Sequence, residues 1–234
     1  MDYSDGKPVD FNYSKLRMRN EPLVEITQIK GTSETHPKLS PKDEWANFEI
    51  LNTRKGNVTK YSLVHGSYVR EALANGIALE SEGRGNPFKV GFIGSTDTHN
   101  SASPIEEDKY FGGAATTTLI DTRGAVPVGT NDKTFASMYS EPTYTNDRGM
   151  QFGASGLAAV WAEKNTRESI FAALKRKETY GTSGNRIKLR FFAGNTISKK
   201  DLDSPDALSL LYKKGVPMGS DLIPSKRGET PSFV

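Results

Sequence analysis

A helix-forming segment followed by a short apolar strand limits the fold of this chain more than any other feature. From Ser67 onward, apolar residues recur at helical spacing, with Gly76 expected to break the helix and Gly83 expected to end it. The next segment, FKVGFIGS at residues 88–95, has the short apolar run of a buried strand. Because strands that alternate with helices favour an α/β architecture, we expect that class here.

Two further segments predict strands, and one long stretch predicts neither strand nor helix. The alternating, β-branched segment EPLVEITQI at 21–29 predicts a strand, as does RIKLRFFAG at 186–194. Residues 101–156 are rich in glycine, threonine, serine, asparagine and proline and show no clear period. A loop of that length is usually functional or poorly ordered.

Capping residues predict two helices in the last third of the chain. Asn165 and Glu168 form a capping-box pair, which indicates that a helix begins there. The last helix is predicted to have Ser204 as its N-cap, Pro205 at its first position and Gly215 after its last turn. These helices flank the strand predicted at 186–194, so the alternation of helices and strands continues.

Composition argues against several classes of function. The 234 residues carry a net charge of +3, which is spread along the chain and gives no argument for nucleic-acid binding. No apolar run approaches the roughly 18 residues of a membrane-spanning helix, and the first residues lack the apolar segment of a signal peptide. Since the chain has no cysteine, any metal must be held by nitrogen and oxygen ligands. The compartment stays open, cytoplasmic or periplasmic.

The strand at 88–95 is followed by an aspartate and a histidine in the order Asp97-x-His99. In an extended chain, residues i and i+2 point to the same side, so both side chains would project from beyond the C-terminal end of the strand. Ligands and catalytic groups collect at that end in α/β folds. A carboxylate and an imidazole on one face suit zinc, manganese or iron. We therefore predict that Asp97 and His99 are catalytic metal ligands; an Asx turn at Asp97 is the structural alternative.

A second group of candidate ligands lies earlier in the chain. Glu25 is within the first predicted strand, and Glu34 and His36 are again a carboxylate and an imidazole two residues apart. Since a catalytic metal needs about three protein ligands, Glu25, Glu34 and His36 are candidates for the remaining positions. A solvated loop with ordinary charges is the alternative for Glu34.

Three polar residues are candidates for orienting a small-molecule anionic substrate. Lys30 could pair with a phosphate as a point charge, and Asn100 and Arg70 could hydrogen-bond to it. A solvated loop is the alternative for Lys30, and an exposed helix position is the alternative for Arg70.

Several long blocks of the sequence resemble one family. They are VGFIGSTDTHN with EEDKYFGG after it, the segment from Asn20 to Glu49, SYVREALANGIALE, the segment from Gly156 to Phe192, and GVPMGSDL. From about Asp5 to Val234, the chain is similar to the domain of unknown function family numbered 3604. That family is similar in turn to the PHP (polymerase and histidinol phosphatase) metal-dependent phosphoesterases.

The resemblance implies a distorted (βα) barrel, similar to a TIM barrel, that carries a cluster of metal ions. The last metal-binding motif of such proteins is an Asp-x-His after a late barrel strand, and it falls on Asp97 and His99. PHP-like proteins open with a His-x-His on their first strand, which this chain lacks. The resemblance therefore implies a C-terminal piece of a longer hydrolase, whose missing N-terminal part would complete the metal site.

These implications give an expected domain plan. Residues 1–100 would form the C-terminal part of the hydrolase barrel, with extra β/α elements. Residues 101–156 would form a long loop region, and residues 157–234 would form a closing helix–strand–helix segment that is truncated at its C-terminus.

The expected function is metal-assisted hydrolysis, with a metal-activated water attacking a phosphoester. We expect the full-length protein to be active and this fragment alone to be inactive. Two alternatives remain: amidohydrolase-like cleavage of C–N or C–O bonds on the same scaffold, and a non-catalytic binding module. Neither nucleic acid nor a membrane is an expected partner.

Overall fold

The computed structural model describes residues 6–28, 31–50, 53–54, 57–97, 156–223 and 230–234. The described helices are α1 (Phe11–Asn20), α2 (Val69–Ser81), α3 (Arg167–Lys175), α4 (Lys199–Leu202) and α5 (Ala207–Lys214). The described strands are β1 (Leu23–Gln28), β2 (Gly31–Thr32), β3 (Thr53–Arg54), β4 (Asn57–Tyr61), β5 (Gly91–Gly94), β6 (Leu157–Val160), β7 (Thr179–Thr182), β8 (Phe192–Gly194), β9 (Val216–Pro217) and β10 (Ser232–Phe233). The predicted α/β class is therefore confirmed.

The strands form small sheets, and the described residues contain no closed barrel. In one sheet, β1 lies between β2 and β5; it is antiparallel to β2 and parallel to β5. In another, β8 lies between β9 and β10 and is antiparallel to both. Two antiparallel pairs complete the set, β3 with β4 and β6 with β7. The distorted (βα) barrel implied by the family resemblance is thus not confirmed by the described part of the chain.

A contact between two glycines holds the β6–β7 pair against β5. A Cβ atom added to Gly181 of β7 would lie 2.5 Å from the backbone nitrogen of Gly94 in β5. A Cβ added to Gly94 would lie 2.9 Å from the carbonyl oxygen of Thr182. Both separations are shorter than van der Waals contact, so the two backbones can approach this closely only because neither residue has a side chain.

The strands β1, β5 and β7 end at one edge of the fold. Gly91, at the start of β5, lies beside Thr179 at the start of β7, and Gly94 at the end of β5 lies beside Thr182 at the end of β7. These two strands therefore run in the same direction. Since β1 is parallel to β5, with Thr27 opposite Gly94, all three strands end together. We call this edge, at Thr27, Gly94 and Thr182, the carboxyl edge.

The C-terminal segment has its own apolar core and a polar anchor. Phe192, Ile197 and Leu211 are buried together, and Val234 packs against them. Helix α4 begins with a capping box between Ser198 and Asp201, and the Nζ of Lys214 donates to Asp201 Oδ1 at 2.5 Å. The hydrogen bond from Lys214, with those from Ser198, lowers the pKa of Asp201 to about 2.

Helix boundaries differ from the sequence predictions at several points. The glycine expected to break α2 is buried inside it, because a Cβ at Gly76 would lie 2.2 Å from Oδ1 of Asn86, which packs there. The N-cap of α3 is Thr166, whose side chain accepts from the backbone of Ser169, and not Asn165. Helix α5 begins two residues later than predicted, and α2 ends before Gly83 as predicted. Helices α1 and α4 were not predicted.

The strand predictions were correct in place but too long. The segment predicted at 21–29 contains β1, and the segment predicted at 88–95 contains β5. Of the segment predicted at 186–194, only Phe192–Gly194 is a strand; before it, the carbonyl oxygen of Leu189 accepts from the side chain of Trp161. Of the region predicted as a long loop, all but Gly156 lies outside the described residues. Among the described helices, none combines the length and apolar character needed to cross a bilayer.

Replacing Gly181 with alanine should destabilise the fold, because the new methyl group would overlap the backbone of β5. Overpacking of this kind costs about 1–3 kcal/mol in the free energy of unfolding, which urea denaturation measures. The control is Ser183→Ala in the exposed position two residues further on, where we expect a change within about 0.5 kcal/mol. Equal stability of the two variants would contradict the glycine contact.

Candidate active site at the carboxyl edge

A serine hydroxyl joins Glu25 of β1 to the segment that follows β5. Ser95 Oγ donates to Oε1 of Glu25, and Gln28 Nε2 donates to Oε2 of the same carboxylate at 2.9 Å. The backbone N–H of Asp97 donates to Ser95 Oγ at 3.2 Å. One hydroxyl therefore links the carboxylate of Glu25 to the backbone of Asp97, and both residues, which are predicted metal ligands, are half-buried.

The position of Glu25 follows from an irregularity in the β1–β5 pairing. Glu25 is opposite Ile93 and Thr27 is opposite Gly94, so β1 has one extra residue between the two pairs. Bulges of this kind bend a strand and change the direction of a side chain. The ladder resumes where the N–H of Ser95 donates to the carbonyl oxygen of Thr27 at 3.0 Å, and this bond places the Ser95 side chain next to the carboxylate.

Asp97 has a backbone conformation that the sequence did not indicate. Its φ angle is +50°, in the left-handed region that aspartate tolerates better than most residues. The expected alternation of Asp97 and His99 requires extended backbone, which the chain does not have at Asp97. His99 itself lies outside the described residues, as do Asn100 and Lys30, so their predicted roles stay predictions.

A cavity of about 660 Å³ opens at the carboxyl edge, with Thr27 and Thr182 in its wall; Glu25, Ser95 and Asp97 are not among the residues that line it. Its walls come from the ends of β1 and β7, from the start of α2 and from the segments 43–48 and 183–189. Apolar side chains form much of the surface, among them Ile26, Trp45 and Ile187. A cavity of this size, apolar with a few polar groups, is typical of a small-molecule site.

Thr27 is a residue of the cavity wall that the sequence analysis missed. It is 3% exposed, and its Oγ1 has no hydrogen-bond partner within the described part of the chain. Because this oxygen atom is itself buried, its missing hydrogen bond is a cost to the fold. Its position two residues after Glu25 on a strand end is the signal that could have identified it.

Arg70 lies in the cavity wall between two carboxylates. Its Nη2 donates to Glu34 Oε1, and its Nη1 donates to Asp43 Oδ2 at 2.7 Å. The hydrogen bond from Arg70 is the largest cause that lowers the pKa of Asp43, and the two carboxylates raise the pKa of Arg70. The backbone N–H of Arg70 also donates to the carbonyl oxygen of Glu34 at 3.0 Å, which fixes the loop at the start of α2.

His36 and Glu34 have separate partners, although they are two residues apart. The Nδ1 of His36 accepts from the backbone N–H of Lys38 at 3.1 Å, and the ring lies 5.6 Å from that of Tyr68. Burial, and then the charge of Lys38, lower the pKa of His36. Among the residues that the structure describes, no three acidic or histidine side chains converge as a metal-binding group. The structure thus brings Glu25 and Asp97 together through Ser95, and it pairs Glu34 with Arg70 instead.

The chain belongs to the family described as "Protein of unknown function (DUF3604)", whose family model matches residues 1–234. No curated protein and no solved structure matches the chain. The family is therefore established, and it brings no assigned activity with it.

Replacing Arg70 with glutamine should raise the pKa of Asp43, because the guanidinium hydrogen bond that lowers it is lost. Carboxyl ¹³C NMR titration of Asp43 measures this shift. The control is Lys42→Gln, which removes an exposed positive charge from the neighbouring residue while leaving the Arg70 hydrogen bond in place. An unchanged Asp43 titration in Arg70→Gln would show that the pair does not form in solution.

Proposed function

We propose that this member of the DUF3604 family acts in metal-dependent hydrolysis, with a phosphoester as the substrate. The observation that carries the proposal is the Glu25–Ser95–Asp97 group at the carboxyl edge. Asp97 follows β5, and Glu25 lies in the neighbouring parallel strand β1 close to its end; α/β hydrolases place their reacting groups at this end of their strands. We further propose that β1, β5 and β7 belong to a distorted (βα) barrel of the PHP type.

The donor set fits a hard or borderline divalent cation. Glu25 and Asp97 supply carboxylate oxygens, and His99 would supply an imidazole nitrogen, a combination that suits zinc, manganese or iron. Ser95 and Gln28 each hydrogen-bond to one oxygen of Glu25, which fixes the carboxylate in the way that outer-shell groups orient metal ligands. When bound, a metal of this kind would lower the pKa of a water and polarise a phosphoryl oxygen.

The cavity beside this group would hold the organic part of the substrate. Its apolar wall, with Trp45 and Ile187, would exclude water from a leaving group. Because Arg70 is already paired with Glu34 and Asp43, it would shape the cavity wall, and orientation of the phosphoryl group would depend on Lys30 and Asn100.

Asp97→Asn and Glu25→Gln should each reduce metal content and phosphoester hydrolysis of the full-length protein. Loss of an outer-shell partner costs about 10- to 100-fold in metal affinity or activity, which is the expected effect of Ser95→Ala. Loss of a ligand should cost more. Elemental analysis of the purified proteins and turnover on phosphomonoesters, phosphodiesters and amides measure the two effects.

Glu44→Gln is the matched control, since it neutralises an exposed carboxylate that is not part of the site. It should leave metal content and turnover unchanged. Full metal content and undiminished turnover in both Asp97→Asn and Glu25→Gln would refute the proposal. Turnover on amides but not on phosphoesters would be consistent with the proposed metal site and would assign a different reaction to it.

A further inference from the structure

A stacked arginine and tryptophan lie at the opposite end of the strands from the candidate active site. The guanidinium carbon of Arg190 lies 3.8 Å from the centre of the Trp161 ring and 6.0 Å from that of Tyr212. The indole N–H of Trp161 donates to the carbonyl oxygen of Leu189 at 2.7 Å, which fixes the ring beside the arginine. Arginine commonly stacks on aromatic faces in this way, and the stacked faces leave its N–H groups free at the edge.

The guanidinium of Arg190 has no hydrogen-bond acceptor among the residues that the structure describes. Within the described residues, its guanidinium makes no hydrogen bond and no ion pair. The side chain is half-buried, so its positive charge is partly shielded from water. A guanidinium offers five N–H donors in a planar fork that matches a carboxylate or a phosphate.

The nearest buried carboxylate cannot neutralise Arg190, because other groups occupy both of its oxygens. Glu178 is 3% exposed; its Oε1 accepts from the hydroxyl of Tyr212, and its Oε2 accepts from Nε of Arg176 at 2.9 Å. Arg176 is held further by a bond from its Nη2 to the carbonyl oxygen of Trp161 at 2.9 Å. The charge of Glu178 is therefore balanced by Arg176, and in the described part of the chain no carboxylate forms an ion pair with Arg190.

A separate cavity of about 520 Å³ contains these groups. It lies beyond the end of β6, where Trp161 follows the strand. The backbone N–H of Trp161 donates to the carbonyl oxygen of Glu178 at 3.0 Å. The other end of β6 is at the carboxyl edge, since Gly156 N–H donates to the carbonyl oxygen of Ser95 at 3.0 Å. Four strand residues span about 13 Å; the two cavities approach each other at Leu189, but they have no lining residue in common and are therefore distinct.

We propose that this cavity is a binding site for a small organic molecule with one terminal oxyanion, a carboxylate or a phosphate. The planar fork of Arg190 bonds to the oxyanion, and the walls formed by Trp161, Tyr212 and Pro217 contact the rest of the molecule. The volume is in the range of about 300–1,000 Å³ found for small-molecule sites. Glu163, an exposed carboxylate at the cavity wall, weakens binding of an anion by repulsion.

The fluorescence of Trp161 tests the proposal with inorganic phosphate and acetate as probes. The chain has two tryptophans, so Trp45→Phe leaves Trp161 as the sole reporter. Each anion is titrated into this parent protein at constant ionic strength, which holds general charge screening fixed. A saturable change is expected with at least one probe, and the probe that binds more tightly identifies the oxyanion.

Variants on the Trp45→Phe background assign the binding to Arg190. Because hydrogen bonds to charged groups contribute about 1.5–3 kcal/mol, Arg190→Gln should weaken binding about ten- to a hundredfold. Lys188→Gln removes an exposed charge two residues away and should leave binding unchanged. Glu163→Gln should strengthen it.

Arg190→Lys retains the charge and the aliphatic stem, and circular dichroism checks that each variant is folded. The lysine variant should bind both anions more weakly than the parent, since it lacks the planar fork. Binding as tight as that of the parent in either Arg190 variant would overturn the proposal. The absence of a saturable response to both probes would overturn it as well.

Discussion

The close approach of two backbones at Gly94 and Gly181 is the constraint on which the rest of the structure depends. It brings β7 alongside β5 in the same direction, so the ends of β1, β5 and β7 share one edge. Any larger residue at either position would move the β6–β7 pair away from β5. The Glu25–Ser95–Asp97 group and the neighbouring cavity both lie at that shared edge because this contact is possible.

The same arrangement of strands gives the molecule two different polar ends. At the carboxyl edge, a hydroxyl links two acidic residues, and the nearby arginine is compensated by Glu34 and Asp43. At the opposite end, Arg176 is paired with Glu178, and Arg190 has no ion pair within the described ranges of the chain. We propose that the first end binds a cation and the second an oxyanion, although each end carries both kinds of charge.

Local patterns in the sequence predicted the positions of those elements whose formation depends on neighbouring residues. The alternation at 21–29 located β1, the helical spacing after Ser67 located α2, and the residues after β5 located the candidate site. Long-range contacts determined the rest. Gly76 continues its helix because Asn86 packs on it, and the segment before β8 is not a strand where the side chain of Trp161 hydrogen-bonds to Leu189. The pairing of Arg70 with Asp43, 27 residues apart, leaves no local pattern.

The account depends most on Glu25 and Asp97 binding one divalent ion. Anomalous X-ray diffraction at the zinc edge, from crystals of the full-length protein grown with Zn²⁺, tests this directly. We predict an anomalous peak about 2.0–2.2 Å from a carboxylate oxygen of each residue, the usual zinc–oxygen distance. Zinc bound elsewhere, or Glu25 and Asp97 side chains that point apart with no metal between them, would contradict the account.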